Sequence, residues 1–257
     1  SDFDVVSGID PTGYSDYWAL TVSLDRVAER GINLRAGYTY SRTTDNLPGL
    51  AGGPIGGQLS PFPETTGAAD WRDGRSDLDV PHRAALALEW RSGAAAGLRL
   101  GVLARYRSGY PFTPGFRDGV DMNGDGSGQN DPAFVSDTVA GAADLIGGWS
   151  CLRQELGRLA TRNSCRGSSI VTVDARFAVR LFSLGDLPAE LVVDGLNLVR
   201  TDEGLVDRAL YLVDPAGSPG TAAGRVIVPL VINPNFGRLL VRRSAPAAVR
   251  AGLRFNF

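Results

Sequence analysis

Lysine is absent from this 257-residue chain, and all 26 of its basic residues are arginine. That excludes a P-loop lysine, a Schiff-base lysine and a Ser-Lys dyad. Histidine occurs once, at His82, so a two-histidine zinc motif is impossible. An excess of one charge is missing too. The 26 arginines face 28 acidic residues, which leaves no net field to attract nucleic acid. Long apolar runs are lacking: the stretch Val226 to Ile232 is among the longest at about seven residues, where a transmembrane helix needs about 20. What the chain has in quantity is glycine, 33 residues, with 15 prolines. Such a composition suits many turns rather than long helices.

Two-residue periodicity dominates the rest. Trp18, Leu20, Val22 and Leu24 alternate with Ala19, Thr21, Ser23 and Asp25. The same alternation runs through Ile32–Tyr40, Ala84–Trp90, Leu98–Tyr106, Val171–Leu181 and Val249–Phe257. Between Glu190 and Val199 the phase slips, because Leu191 and Val193 fall out of step with Leu196 and Leu198. A bulge near Asp194–Gly195 restores it, since one extra residue flips the alternation. The pattern predicts seven antiparallel strands.

Short connections, around Glu29–Gly31, Ser92–Gly97 and Leu184–Pro188, alternate with long ones. The long ones cover Asp45 to Leu78, Pro111 to Ser168 and Thr201 to Ala245. In an up-and-down sheet every tight turn then falls on one rim and every long loop on the other. Structureless loops of this length are uncommon in compact domains. They are normal in outer-membrane barrels, with short periplasmic turns and long extracellular loops. Aromatics also gather in two groups, as interfacial girdles would. Trp18, Tyr38, Tyr40, Tyr106 and Tyr110 lie toward the long-loop rim, and Trp90, Phe182, Phe255 and Phe257 toward the other. The expected fold is all-β: an antiparallel up-and-down transmembrane β-barrel segment, about seven strands of a larger barrel. The alternative is a soluble secreted β-sandwich, a binding or adhesion module carrying a calcium loop. In that case Leu86, Leu100, Val173 and Leu253 would be buried under a second sheet.

The chain ends in alternating apolar residues, with Gly252, Phe255 and Phe257 in a pattern that resembles the terminal signal read by the outer-membrane barrel assembly machinery. Other stretches are Ser76-Asp77-Leu78-Asp79-Val80-Pro81-His82-Arg83 and the segment from Arg105 through Ser108-Gly109-Tyr110-Pro111-Phe112 to Pro114. Asp121-Met122-Asn123-Gly124-Asp125-Gly126, Asn130-Asp131-Pro132, Val173 to Phe177, Asp194 to Leu198 and Asn235-Phe236-Gly237-Arg238 follow. In this order the set resembles the C-terminal barrel of TonB-dependent receptors, particularly the Oar-like group. The resemblance covers roughly residues 15 to 257. It implies that residues 1–257 are the C-terminal part of one outer-membrane β-barrel domain of a Gram-negative bacterium, with the plug and N-terminal strands absent. It further implies ligand uptake powered through the TonB system, and outer-membrane lipid, the assembly machinery and an unidentified transported ligand as partners. No covalent chemistry follows from it, and the residues form no Ser/His/Asp grouping, so no enzyme is expected.

Three local readings remain. Asp121-x-Asn123-x-Asp125-Gly126 matches the first half of a calcium loop, where oxygen ligands alternate and glycine makes the sharp turn. Pro132 stands at the usual place of the bidentate acid, and Asp131 is one short. The segment is either a Ca²⁺ site of Asp121, Asn123, Asp125 and Asp131, or a metal-free turn. Cys151 and Cys165 lie in the same long loop, where an oxidising compartment favours a disulfide over free thiols. Asp174, Arg176, Arg180, Glu190 and Asp194 fall on the polar face of their strands. They either pair across strands in a wet lumen or meet a plug in an intact receptor.

Overall fold

The computed structural model describes residues 13–28, 31–46, 73–93, 97–116, 131–184, 187–222, 225–243 and 246–255. Seven long strands form one antiparallel wall: β1 (Ser15–Arg26), β2 (Gly31–Asp45), β3 (His82–Arg91), β4 (Arg99–Arg107), β5 (Ile170–Leu184), β6 (Leu187–Arg200) and β7 (Ala248–Phe255). Each pairs with its sequence neighbours in the order β1 to β7, as an up-and-down meander. Gly74–Arg75 adds a short strand on β2. The alternation of short and long connections is as expected.

The registers show why alternation matters here. Leu24, Ala36, Leu86, Ala104 and Val173 form one row across β1 to β5. The next row up the strands reads Ser23, Gly37, Ala85, Arg105 and Thr172. Because successive side chains point to opposite faces, the first row is apolar and faces outward. The second faces the opposite, polar side. Among the described residues no second layer covers the apolar face. Leu20 is 57 % exposed there, and Leu86, Leu100 and Leu253 are exposed as well. A sandwich would have sealed these positions.

β1 pairs only with β2 and β7 only with β6, so the wall has two free edges among the described residues. Even eight strands barely enclose packed side chains, so closure into a barrel requires strands beyond these seven.

The phase slip expected near Asp194–Gly195 is present, between Gly195 and Val199, and two other expectations need correction. Asn197 takes the left-handed conformation there (φ 53°), a region asparagine tolerates better than most residues. Its N–H donates to Asp174 Oδ1 at 2.7 Å. A second slip lies between Ala189 and Glu190. Tyr110 does not join the girdle: its ring lies under the Arg107 guanidinium, 4.6 Å from centroid to Cζ. The largest correction concerns the two longest loops, whose described residues are not structureless.

Candidate functional site

The described residues of the two longest loops, 108–116 and 131–169 of one and 201–222, 225–243 and 246–247 of the other, fold together into a cap. Gly115–Phe116 pairs in parallel with Ala209–Val213, which pairs in turn with Leu230–Ile232. Pro111–Phe112 pairs with Cys165–Arg166. Two short helices, α1 (Ala142–Gly148) and α2 (Ser150–Gln154), flank Trp149. Phe112, Val135, Ile146, Leu152, Leu210 and Phe236 pack in one hydrophobic cluster between these pieces. The rings of Phe112, Trp149 and Phe236 meet edge-on with centroids 5.1 to 6.2 Å apart, the arrangement their quadrupoles favour. Gly237 (φ 77°) passes under Trp149 so closely that a Cβ would sit 2.1 Å from the indole. Only glycine allows that approach at that backbone angle.

Two further features tie the cap internally. Cys151 and Cys165 form a disulfide with Cα atoms 5.3 Å apart, joining α2 to the strand beside Phe112. In the chain-entropy view, closing such a loop stabilises by about 3 kcal/mol. The Tyr211 hydroxyl accepts from Ser136 N–H at 3.0 Å and donates to the Phe134 carbonyl at 3.1 Å. Burial pushes this phenol above its ordinary pKa.

Arginine–aspartate pairs latch the cap to the rim. Arg162 donates to Asp45 Oδ1 at 2.7 Å and to the Asp45 carbonyl at 2.8 Å. Arg166 donates to Asp79 Oδ2 and to the Asp79 carbonyl, both at 2.7 Å. Asn163 adds bonds from its side-chain amide to the Arg75 carbonyl and to Asp77 Oδ1. Both Arg162 and Asp79 are buried. Burial pulls Arg166 below the usual guanidinium range, and the Asp79 carboxylate opposes that shift. Charges this deep persist only when paired and hydrogen-bonded. The rim side is itself fixed to β2: Ser41 Oγ donates to the Val80 carbonyl at 2.9 Å, and Thr43 N–H to Asp79 Oδ1 at 2.8 Å.

Below the cap, the polar face of the wall carries a ladder of ion pairs. Asp194 lies between Arg176 (2.5 Å) and Arg250 (2.8 Å). Glu190 lies between Arg99 and Arg254. Asp174 pairs with Arg105 at 2.9 Å, and Arg107 reaches up to Glu203 at the base of the second cap loop. Asp174, Arg176, Glu190 and Asp194 thus pair across strands, one of the two roles open to them in the sequence.

The other candidate residues fare unevenly. Asp121, Asn123, Asp125 and Phe257 lie outside the described residues. Asp131 is buried in the cap beside Gly115. Among the described residues no group of three His, Cys, Asp or Glu side chains is arranged to hold a metal. Gly252 and Phe255 lie on β7, the exposed edge. His82 is on the outer face at the long-loop rim, with Nδ1 2.8 Å from the Tyr38 hydroxyl. Sequence reasoning missed Arg162, Arg166 and Asp45. Their partners lie 87 to 117 residues away, and nothing local marks one arginine among 26 as a latch.

The family model described as an outer membrane beta barrel domain matches residues 1–197. The chain belongs to that family, and its apolar face is therefore the face that meets an outer membrane. No curated protein and no solved structure matches the chain.

Proposed function

We propose that this chain forms part of the barrel of a TonB-dependent uptake receptor in the outer membrane of a Gram-negative bacterium. The observation that carries the reading is the cap. An open pore gains nothing from two long loops that share a hydrophobic core, a disulfide and a buried latch. A receptor that captures solute at the outer surface gains a preorganised binding platform, which lowers the ordering cost of binding. The ordered motifs from Ser76 to Arg238 that resemble such receptors support the same reading. In this scheme the loops select the ligand, the arginine-lined wall surrounds a plug supplied elsewhere, and no covalent step occurs. Ca²⁺ held by Asp121, Asn123, Asp125 and Asp131 would stiffen the first cap loop. Gly252, Phe255 and Phe257 would direct assembly.

The test uses the full-length protein in planar bilayers together with the periplasmic domain of TonB. A receptor is expected to show no steady conductance and to bind TonB in pull-down. Stable open-channel conductance without TonB binding overturns the reading in favour of a porin.

A further inference from the structure

The outward face of the seven strands is nearly free of charge, and its exceptions lie at the rims. Reading the registers across, the charged side chains on that face are Asp16 and Arg42 at the long-loop rim and Arg26 at the other. Arg42 stands directly opposite Trp18 on β1. It is exposed, and among the described residues it takes part in no ion pair. Asp16, its diagonal neighbour, does not neutralise it.

Beside and below Arg42 on the same face is a cluster of rings. Trp18 and Tyr40 meet edge-on at 5.7 Å, and Tyr40 and His82 lie 5.4 Å apart. His82 is fixed in turn by the Tyr38 hydroxyl at 2.8 Å. Below the rings the surface dips into an apolar groove of about 410 Å³. Ala36, Ala84 and Ala104 form its floor, with Leu24, Tyr38 and Leu86 among its walls. The dip follows from the sequence: three alanines occupy outward positions where neighbouring rows carry leucine, valine and tyrosine.

We propose that this surface holds one anionic lipid of the outer leaflet, its phosphate on Arg42 and an acyl chain in the alanine groove. From Arg42 to Ala36 is six residues along β2, or about 20 Å at the usual rise of a strand. That carries a ligand from headgroup depth well into the hydrocarbon. Guanidinium forks match phosphate oxygens in a bidentate manner, and an unpaired arginine on a lipid-facing surface is costly unless a headgroup meets it. Trp18 and Tyr40 supply the interfacial flank where amphipathic rings prefer to sit. Arg26, at the opposite rim, does not line this groove. The proposal rests on the outer-membrane orientation used above, with the long-loop rim facing outward.

The test is native mass spectrometry of the delipidated full-length protein titrated with diphosphoryl lipid A. The same titration is run with its fully dephosphorylated form and with inorganic pyrophosphate. One tightly retained diphosphoryl lipid is expected, with the dephosphorylated form and pyrophosphate each much weaker. Arg42→Gln is expected to lower affinity about tenfold or more, Arg42→Lys less, and Arg26→Gln not at all. Ala84→Phe fills the groove without touching the charge and is expected to weaken binding as well. Heat-modified gel mobility checks that each variant is folded, and Ala84→Phe alone decides the case if Arg42→Gln is not. Unchanged binding in folded Arg42→Gln or in Ala84→Phe overturns the proposal. So does pyrophosphate binding as tightly as the lipid. Loss of TonB binding with the lipid still retained would sink the receptor reading and leave this one standing.

Discussion

Leu20 and Leu210 are the same residue in two solvents: one is 57 % exposed on the outer wall, the other fully buried in the cap. The wall shows its apolar side chains to hydrocarbon and keeps its charged groups on the opposite face, apart from Asp16, Arg42 and Arg26 at the rims. The cap does the reverse, as a soluble domain would, with apolar residues inside. The difference shows that burial and hydrophobicity part company at a membrane. In the wall, stability rests on the backbone ladder, because every polar backbone group must be satisfied internally when the surroundings are lipid. In the cap it rests on packing, a disulfide and a buried ion-pair latch. Removing the same atoms in the two regions should therefore have unequal effects.

The largest effect is expected at the latch. Arg162→Ala leaves Asp45 buried without its cation, a change of about 3–5 kcal/mol. Limited proteolysis should then cut within 108–169 while the wall keeps its heat-modifiable mobility. Equal loss of both would show that cap and wall form one cooperative unit. Next is Leu210→Ala, expected to cost the cap about 2–5 kcal/mol. Leu20→Ala, facing lipid, should cost far less. Urea titration of the two variants in the same detergent measures the ratio, and equal shifts would break the comparison. Reducing Cys151–Cys165 is expected to loosen the cap by about 3 kcal/mol, read as faster proteolysis with unchanged wall mobility. A charge scan sharpens the two faces of the wall: Leu86→Arg should cost about 2–4 kcal/mol at mid-membrane, and Ser23→Arg close to nothing.

The smallest effect is a pH dependence of the cap. Tyr211 has its pKa raised by burial, so the folded state disfavours the phenolate. Its contribution is complete below the ordinary value of 10.0 and is lost as pH rises through the raised folded value. Wild type should therefore lose cap protection at strongly alkaline pH more steeply than Tyr211→Phe. Parallel curves would show that the hydroxyl is not tied to cap folding.

Much of the wall was legible in the sequence because a period of two is a local property. Seven strands, their order, the rim carrying the long loops and the outward face all follow from neighbours two positions apart. The slip in β6 was legible too, to within a few residues, since Leu191 and Leu198 cannot share a face without an extra residue between them. The cap was not. Phe112, Leu152, Leu210 and Phe236 share no period, and their contacts join loops separated by an entire hairpin. Asp77 and Asp79 stood out within Ser76–Arg83, yet their role as acceptors for Asn163 and Arg166 had no local sign. Cys151 and Cys165 were the one legible trace of the cap's order.

By itself the amino-acid sequence determined a sheet with one greasy and one charged face, because side-chain direction in a strand depends only on position along it. The tertiary structure alone decided that the long loops close over that sheet as a packed cap, held by Arg162 and Arg166. Which arginine meets which aspartate across about a hundred residues is set by the whole chain's path, and no short stretch of sequence contains that path.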